Sequence, residues 1–111
     1  MTALIASTWT HISVGTGTAT VTLADLDLTS VVTPRKAIGS ATASGFTVFT
    51  KTTLAKADNN SASNITEIGI FDALTSGNCL LRTVASTATW ASFLKASTLL
   101  ATITCNIGVS A

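Results

Sequence analysis

The C-terminal part of the chain alternates between two kinds of side chain, and this alternation is the strongest constraint on the fold. The apolar positions are Leu99, Ala101, Ile103, Cys105, Ile107 and Val109. The intervening, mostly polar or small positions are Leu100, Thr102, Thr104, Asn106 and Gly108. A period of two residues is that of an extended strand, so the pattern predicts a terminal β-strand with one buried face.

Four other segments have strand character with a less regular alternation. Residues 4–14 and 45–54 predict two strands, and ITEIGIFDA (65–73) and CLLRTVAST (79–87) predict two more. The composition agrees, because 22 residues are Thr, which is β-branched and fits a pleated, half-buried surface. Six to eight short strands with no long 3.6-residue period predict an all-β single domain over residues 1–111, a β-sandwich or jelly roll.

The segments between these strands predict turns and loops. They are a Gly/Thr turn at 15–20, a short strand with a helical turn at 21–36, a polar loop at 56–64 and a link at 88–97. Pro34 is expected to break any regular element, and Gly77-Asn78 is expected to supply the positive φ of a hairpin. The long interval from Gly15 to Gly45 is enough chain to cross from one sheet to the other.

Charge is scarce, and this limits the classes of partner. Only 10% of the residues are charged and the net charge is +1, which gives no basic field for nucleic acid. The apolar runs are too short to cross a bilayer, and the N-terminal MTALIASTW lacks the features of a secretory signal, so we expect a soluble, non-secreted chain without membrane contact. A neutral surface of Thr, Ala and Ser is suited to contact with other protein.

The residues available for catalysis or ligand binding are few. His11 is the single histidine, the GTG at 15–17 lacks the remaining residues of a phosphate loop, and there is no Gly-x-Ser-x-Gly sequence. We therefore expect no enzyme activity, cofactor or metal. Cys79 and Cys105 are expected to be reduced thiols, with Cys105 buried, because the chain reads as non-secreted and has no Cys-x-x-Cys motif.

Two groups of charged residues admit a structural or a contact role. Glu67 lies within an apolar run, and Arg82 is on the facing arm of the predicted hairpin, so the two are expected to form a structural cross-strand pair. Arg35 and Lys36 form the one adjacent basic pair, which is either solvated or a docking contact.

The large aromatic residues are candidates for an interface. Trp9, Trp90 and Phe93 stand out in a chain of small residues. They are equally compatible with the core and with the anchors of a protein contact.

The run ITEIGIFDALTSGNCLLRT carries a family resemblance. Together with FTVFTKTTLAKADNNSASN before it, the strand LLATITCNI after it and the GTGTAT tract, it resembles virion proteins of tailed bacteriophages that have the form "ItEiGlFda…G.llaR". The match covers most of the chain, and the motif is short and apolar.

The resemblance implies a capsid decoration or cement protein with a jelly-roll fold. Such a protein binds the outside of the assembled capsid, ties neighbouring major capsid protein subunits together against internal DNA pressure, and is made in the host cytoplasm. The expected partners are the major capsid protein and a second copy of the chain, as a homodimer. The alternatives are a phage tail or fibre module and, in another class, a small carbohydrate-binding β-sandwich.

Overall fold

The computed structural model describes residues 9–22, 27–86 and 90–108, which form seven β-strands and no helix. The strands are β1 (His11–Gly15), β2 (Val31–Ala37), β3 (Ser40–Ser44), β4 (Thr47–Leu54), β5 (Glu67–Phe71), β6 (Cys79–Val84) and β7 (Ala101–Gly108). The described part of the chain accordingly has no helix long and apolar enough to span a membrane.

The strands form two antiparallel sheets. The four-stranded sheet has the order β2-β1-β5-β6, and the three-stranded sheet has the order β3-β4-β7. The predicted all-β sandwich is confirmed. The finer jelly-roll assignment stays a prediction, because a jelly roll has eight strands and the described residues form seven.

One hydrophobic core joins the two sheets. Its buried members are Ile12, Val14, Leu54, Ile65, Ile68 and Ile103. Ile12 and Val14 come from β1, whereas Leu54 and Ile103 come from strands of the other sheet. The apolar residues of both sheets therefore face one another, as the two-residue period requires.

The described strands change sheet three times, between β2 and β3, between β4 and β5 and between β6 and β7, and the first of these links is the shortest. Only Ile38 and Gly39 separate Ala37 in the four-stranded sheet from Ser40 in the three-stranded sheet. This link lies within the predicted interval of residues 15–45. The same interval also contains the strands β2 and β3.

Pro34 lies inside β2, so the prediction that it breaks regular structure is wrong. β2 is an edge strand, and its register with β1 shifts between Ile12 and Val14, opposite Pro34. Proline is tolerated at an edge or a bulge because the ladder needs no N–H from it there. The helical turn predicted within 21–36 is absent from the described residues, and residues 23–26 of that segment lie outside them.

Two hairpins differ from the sequence prediction. β3 was not predicted, because SATAS lacks strong apolar residues. It pairs with β4 across the turn Gly45-Phe46, where Gly45 has φ +59°. In the β5–β6 link the predicted positive φ is confirmed at Gly77, and the second positive φ is at Ser76 instead of Asn78.

The terminal strands follow the predicted patterns where they are described. β1 begins at His11, and residues 4–8 of the longer predicted strand lie outside the described residues. β7 alternates as predicted, with Ile103 buried and Thr102 and Thr104 exposed. Cys105 is on the inner face but is partly exposed, so the prediction that it is buried is wrong.

Candidate functional site

Glu67, the carboxylate within the motif, is fully buried and accepts hydrogen bonds on both oxygens. Oε1 accepts from the backbone N–H of Thr29 and from Nε of Arg82, each at 2.9 Å. Oε2 accepts from the backbone N–H groups of Gly17 and Ser30, each at 2.8 Å. A carboxylate offers about four acceptor positions, so its capacity is filled by the protein itself.

The Glu67–Arg82 pair predicted from the sequence is confirmed, and it is diagonal. In the register of β5 with β6, Glu67 lies opposite Val84 and Gly69 lies opposite Arg82. Both charged side chains are nearly free of solvent, and Nη2 of Arg82 also donates to Oγ1 of Thr29 at 3.0 Å. The side chains of Glu67 and Arg82 therefore meet diagonally on the same face of the sheet.

The two glycines of the GTG tract belong to the same cluster. A Cβ on Gly17 would lie 2.5 Å from Oε2 of Glu67 and 2.6 Å from Cβ of Thr29. A Cβ on Gly15 would lie 2.5 Å from the carbonyl oxygen of Ser30 and 2.6 Å from the same carboxylate oxygen. The GTG tract is therefore more than a turn. Its glycines let the backbone come close to the carboxylate of Glu67, which is 50 residues from Gly17 in sequence.

The Glu67 cluster is suited to holding the fold and unsuited to acid–base chemistry. Burial alone would raise the pKa of Glu67, but the hydrogen bonds from Ser30, Thr29, Arg82 and Gly17 outweigh that effect and hold the pKa below its ordinary value. A general acid near neutral pH needs the opposite shift. No group of three His, Cys, Asp or Glu among the described residues is placed to hold a metal.

Leu28 and Thr29 cover part of the outer face of the four-stranded sheet. Leu28, which is buried, packs so close to Gly69 that a Cβ there would lie 3.0 Å from Cδ2 of Leu28. Ser13 and Phe71 on the same face are also buried. This sheet therefore has buried residues on both faces.

Arg35 ties β2 to the β5–β6 hairpin. Its guanidinium lies 3.7 Å from the ring centroid of Phe71. Nη1 donates to the carbonyl oxygens of Ala73 (2.9 Å) and Ser76 (2.6 Å), and Nη2 is 3.7 Å from the carboxylate of Asp27. The interpretation of Arg35 as a solvated residue is wrong, because all of these contacts lie within the fold.

The loop after β4 covers the free edge of β2. Lys36 pairs with Asp58 at 2.8 Å, and Lys36 lowers the pKa of Asp58 together with the backbone N–H of Ala55. The side-chain amide of Asn59 donates to the carbonyl oxygens of Val32 (2.8 Å) and Pro34 (2.7 Å). These bonds satisfy backbone acceptors that an open edge would leave to solvent.

Lys95 holds the same loop through hydrogen bonds from its side chain. Its fully buried ammonium donates to Oδ1 of Asn60 at 2.8 Å and to the carbonyl oxygens of Lys56 and Ala96, each at 3.3 Å. Since both loop contacts are to residues 56–60, Lys95 holds the loop that covers β2.

The predicted aromatic anchors are half-buried and divide between two places. Trp90 and Phe93 pack against the core, with ring centroids 6.4 Å apart. Nε1 of Trp90 donates to Oγ1 of Thr83 on β6 at 3.1 Å, and Phe93 forms a β-bridge with Ile65. Trp9 is half-buried just before β1. Unlike Trp9, Trp90 and Phe93 line the groove between β6 and β7.

The outer face of the three-stranded sheet is open to solvent and almost free of charge. The register places on it Ser40, Thr42, Ser44, Thr47, Phe49, Lys51, Thr53, Thr102, Thr104, Asn106 and Gly108. Lys51 is the single charged residue of the three strands. Phe49 is 44% exposed near the centre of this face, and Phe46 is 73% exposed at the β3–β4 turn.

The sequence predicted a neutral surface of Thr, Ala and Ser but did not locate it on this face, because its hydroxyl residues have no motif and β3 was not recognised as a strand. The one available signal was the alternation of Thr and Asn in residues 102–106, which predicts an outward polar face. Comparison with protein-family models, with curated proteins and with solved structures gave no match to this chain.

Proposed function

We propose that this chain is a structural protein of a bacteriophage virion, which binds the outer surface of the capsid and ties neighbouring major capsid protein subunits together. The sequence resemblance to virion proteins of tailed phages supports this proposal. So does a small all-β domain whose most distinctive charged residue, Glu67, is used entirely within the fold.

The observation that carries the proposal is the outer face of the three-stranded sheet. It combines the exposed Phe49 with neutral hydroxyl side chains and one lysine, and Phe46 is exposed at the adjoining β3–β4 turn. Aromatic residues are frequent anchors of protein interfaces, and charged residues are depleted at interface centres. This face is the contact with the major capsid protein.

The resemblance also supports self-association as a homodimer, because decoration of a symmetric shell by paired copies places two capsid-binding faces on one unit. Two linked contacts bind more strongly than one, since the second binding event is intramolecular. Weak individual contacts are therefore sufficient for stable attachment to the particle.

The main test removes the protein from particles and heats them. Capsids without it should assemble and then release DNA at a lower temperature than complete particles. Equal heat resistance with and without the protein would contradict the cement function. Labelled protein found on the tail alone would favour the tail or fibre module.

A matched pair of substitutions tests the binding face. Phe49→Ser should weaken binding to stripped capsids at least tenfold, which is the scale for loss of an aromatic anchor. Leu74→Ser removes an apolar side chain of similar exposure from the β5–β6 link and should leave binding unchanged. Equal effects of the two substitutions would argue against the outer face as the contact.

Salt provides an independent test of the same contact. Because the face carries one lysine, binding should change little between low and physiological ionic strength. A steep decrease in affinity with salt would indicate a contact steered by opposite charges, which this face does not provide.

A further inference from the structure

β3 is the sheet edge that the described residues leave most open. It pairs only with β4 among the described strands, and four of its five residues are exposed. The β2 edge is covered by the loop that holds Asn59, and residues 90–93 lie beside the edges of β6 and β7. β3 also lacks the charge, proline or bulge that commonly protects an edge strand.

The backbone of β3 presents two residues outward. Ser44 and Thr47 flank a two-residue turn and therefore form a hydrogen-bonded pair. Because hydrogen-bonded and non-hydrogen-bonded positions alternate in an antiparallel ladder, the N–H and C=O groups of Ala41 and Ala43 point away from β4. They are placed to pair with another strand.

The sequence of β3 reads the same in both directions, S-A-T-A-S from Ser40 to Ser44. An antiparallel pairing of two copies about Thr42 would place Ala41 opposite the second copy's Ala43, and Ala43 opposite its Ala41. These are the residues whose backbone groups point outward, so this register would form all four hydrogen bonds that they can make. The central Thr42 would face its own equivalent at the closer, non-hydrogen-bonded position.

We propose that a second copy of this chain pairs with β3 in this register, to form a continuous six-stranded sheet across a two-fold axis. This inference specifies the homodimer contact and rests on the self-association part of the proposed function. A two-fold contact is isologous, so it requires one strand compatible with itself. β3 meets that requirement because it has no like charges to oppose and pairs Ser with Ser, Ala with Ala and Thr with Thr.

The pairing would also extend the proposed capsid-binding face. Thr42 lies opposite Phe49 of β4 on the outer side of the sheet. A two-fold axis at Thr42 would therefore place the two copies of Phe49 on one side of the joined sheet. Both would be available to the same capsid surface.

Charge substitutions at the axis test the register directly. Thr42→Lys and Thr42→Glu each place like charges opposite one another in a homodimer, and each should weaken dimerisation about fivefold, the upper scale for a cross-strand pair. An equimolar mixture of the two variants should form heterodimers at least as tight as wild type. Sedimentation velocity over a concentration series measures these affinities, and circular dichroism verifies that each variant is folded.

A cysteine pair provides a second measurement that does not depend on affinity. Thr42→Cys places two thiols at a cross-strand position with a Cα separation suited to a disulfide, so oxidation should yield a covalent dimer joined at residue 42. Ser40→Cys is the matched control, because the two copies of residue 40 would be roughly 13 Å apart along the strands. Peptide mass spectrometry distinguishes this link from any that involves Cys79 or Cys105.

The outcomes separate this inference from the proposed function. A wild-type dimer that is insensitive to both charge variants, with no link at residue 42, would overturn pairing at β3 and leave self-association standing. A chain that is monomeric at all concentrations would overturn the inference, while binding to stripped capsids would still test the proposed function. Dimers sensitive to charge at Thr42 that fail to bind capsids would support the inference and contradict the capsid function.

Discussion

The two sheets of this sandwich share one core but differ in how their other surfaces are used. The four-stranded sheet is partly covered on its outer face by the segment that contains Leu28, and its β2 edge is covered by the loop that contains Asn59. Among the described residues, nothing pairs with the β3 edge of the three-stranded sheet, and its outer face is exposed. Stabilising polar contacts of charged side chains therefore concentrate in one sheet, and exposed neutral surface concentrates in the other.

The charged residues follow the same division. Glu67, Arg82 and Arg35 belong to the four-stranded sheet, and their partners lie within the fold. The three-stranded sheet has Lys51 alone. Buried charges are stabilised by hydrogen bonds and, at Glu67 and Arg82, also by the opposite charge, whereas an exposed neutral face carries little cost of desolvation on binding. Under the proposed function, one sheet supplies most of the buried charged contacts of the fold and the other supplies the binding face.

The largest expected effect comes from removing the charge at the centre of the covered sheet. Glu67→Gln should lower the free energy of unfolding by about 3–5 kcal/mol, because it leaves Arg82 buried without a counter-charge and replaces an acceptor oxygen by a donor. Urea unfolding measures the change. Asp58→Asn, which breaks the partly exposed pair with Lys36, is the control and should have a much smaller effect. Similar losses for the two variants would mean that the buried Glu67–Arg82 pair contributes no more to stability than the partly exposed pair.

Acid should also weaken the same cluster, because protonation removes the charge opposite Arg82, and the size of the loss is set by how far the pKa of Glu67 is lowered in the folded protein. The pKa of Glu67 is lower in the folded protein than its ordinary value of 4.5. Its contribution to stability is therefore present above pH 4.5 and is lost as pH falls through the folded-state pKa. Stability measured from pH 6 to pH 2 should show this loss in the wild type, and Glu67→Gln should lack that component. Parallel pH profiles for the wild type and Glu67→Gln would contradict the assignment of this loss of stability to Glu67.

Two glycines, Gly17 just after β1 and Gly108 at the end of β7, compare how tightly the residues beside each sheet are packed. Gly17→Ala should lower the free energy of unfolding by about 1–3 kcal/mol, because its Cβ would meet the Glu67 carboxylate and Thr29. Gly108→Ala at the end of β7 should change it by less than about 0.5 kcal/mol, since no atom lies within 4 Å of the added Cβ. Thermal unfolding distinguishes the two. If Gly17→Ala left stability unchanged, the residues around Thr29 would shift easily to make room for the added Cβ.

A modest effect on stability is expected on the open face. Phe49→Ser removes a side chain that is 44% exposed in a central strand and should lower the free energy of unfolding by about 1 kcal/mol. The same variant is expected to lose capsid binding, so calorimetry and binding should give opposite rankings for Phe49 and Gly17. A large loss of stability at Phe49 would remove the distinction between the two sheets.

The sequence predicted the parts of the fold that depend on local pattern. β4, β5, β6 and β7 lie where alternation or β-branched residues predicted strands. β3 was missed because Ser and Ala carry little strand signal, and it forms because β4 offers it a complete ladder across a tight turn. Pro34 was misread because whether proline disrupts a strand depends on its position in the sheet.

What the sequence determined by itself was the all-β class, the neutral surface and the Glu67–Arg82 pair, which lies 15 residues apart within one hairpin. Only the tertiary structure decided that GTG seats the carboxylate of Glu67, that Arg35 stacks on Phe71 and that one sheet is covered while the other is open. The physical reason is sequence separation. Strand period and hairpin pairing are set by neighbouring residues, whereas Gly17 and Glu67 meet across 50 residues of chain only after the sheets have formed.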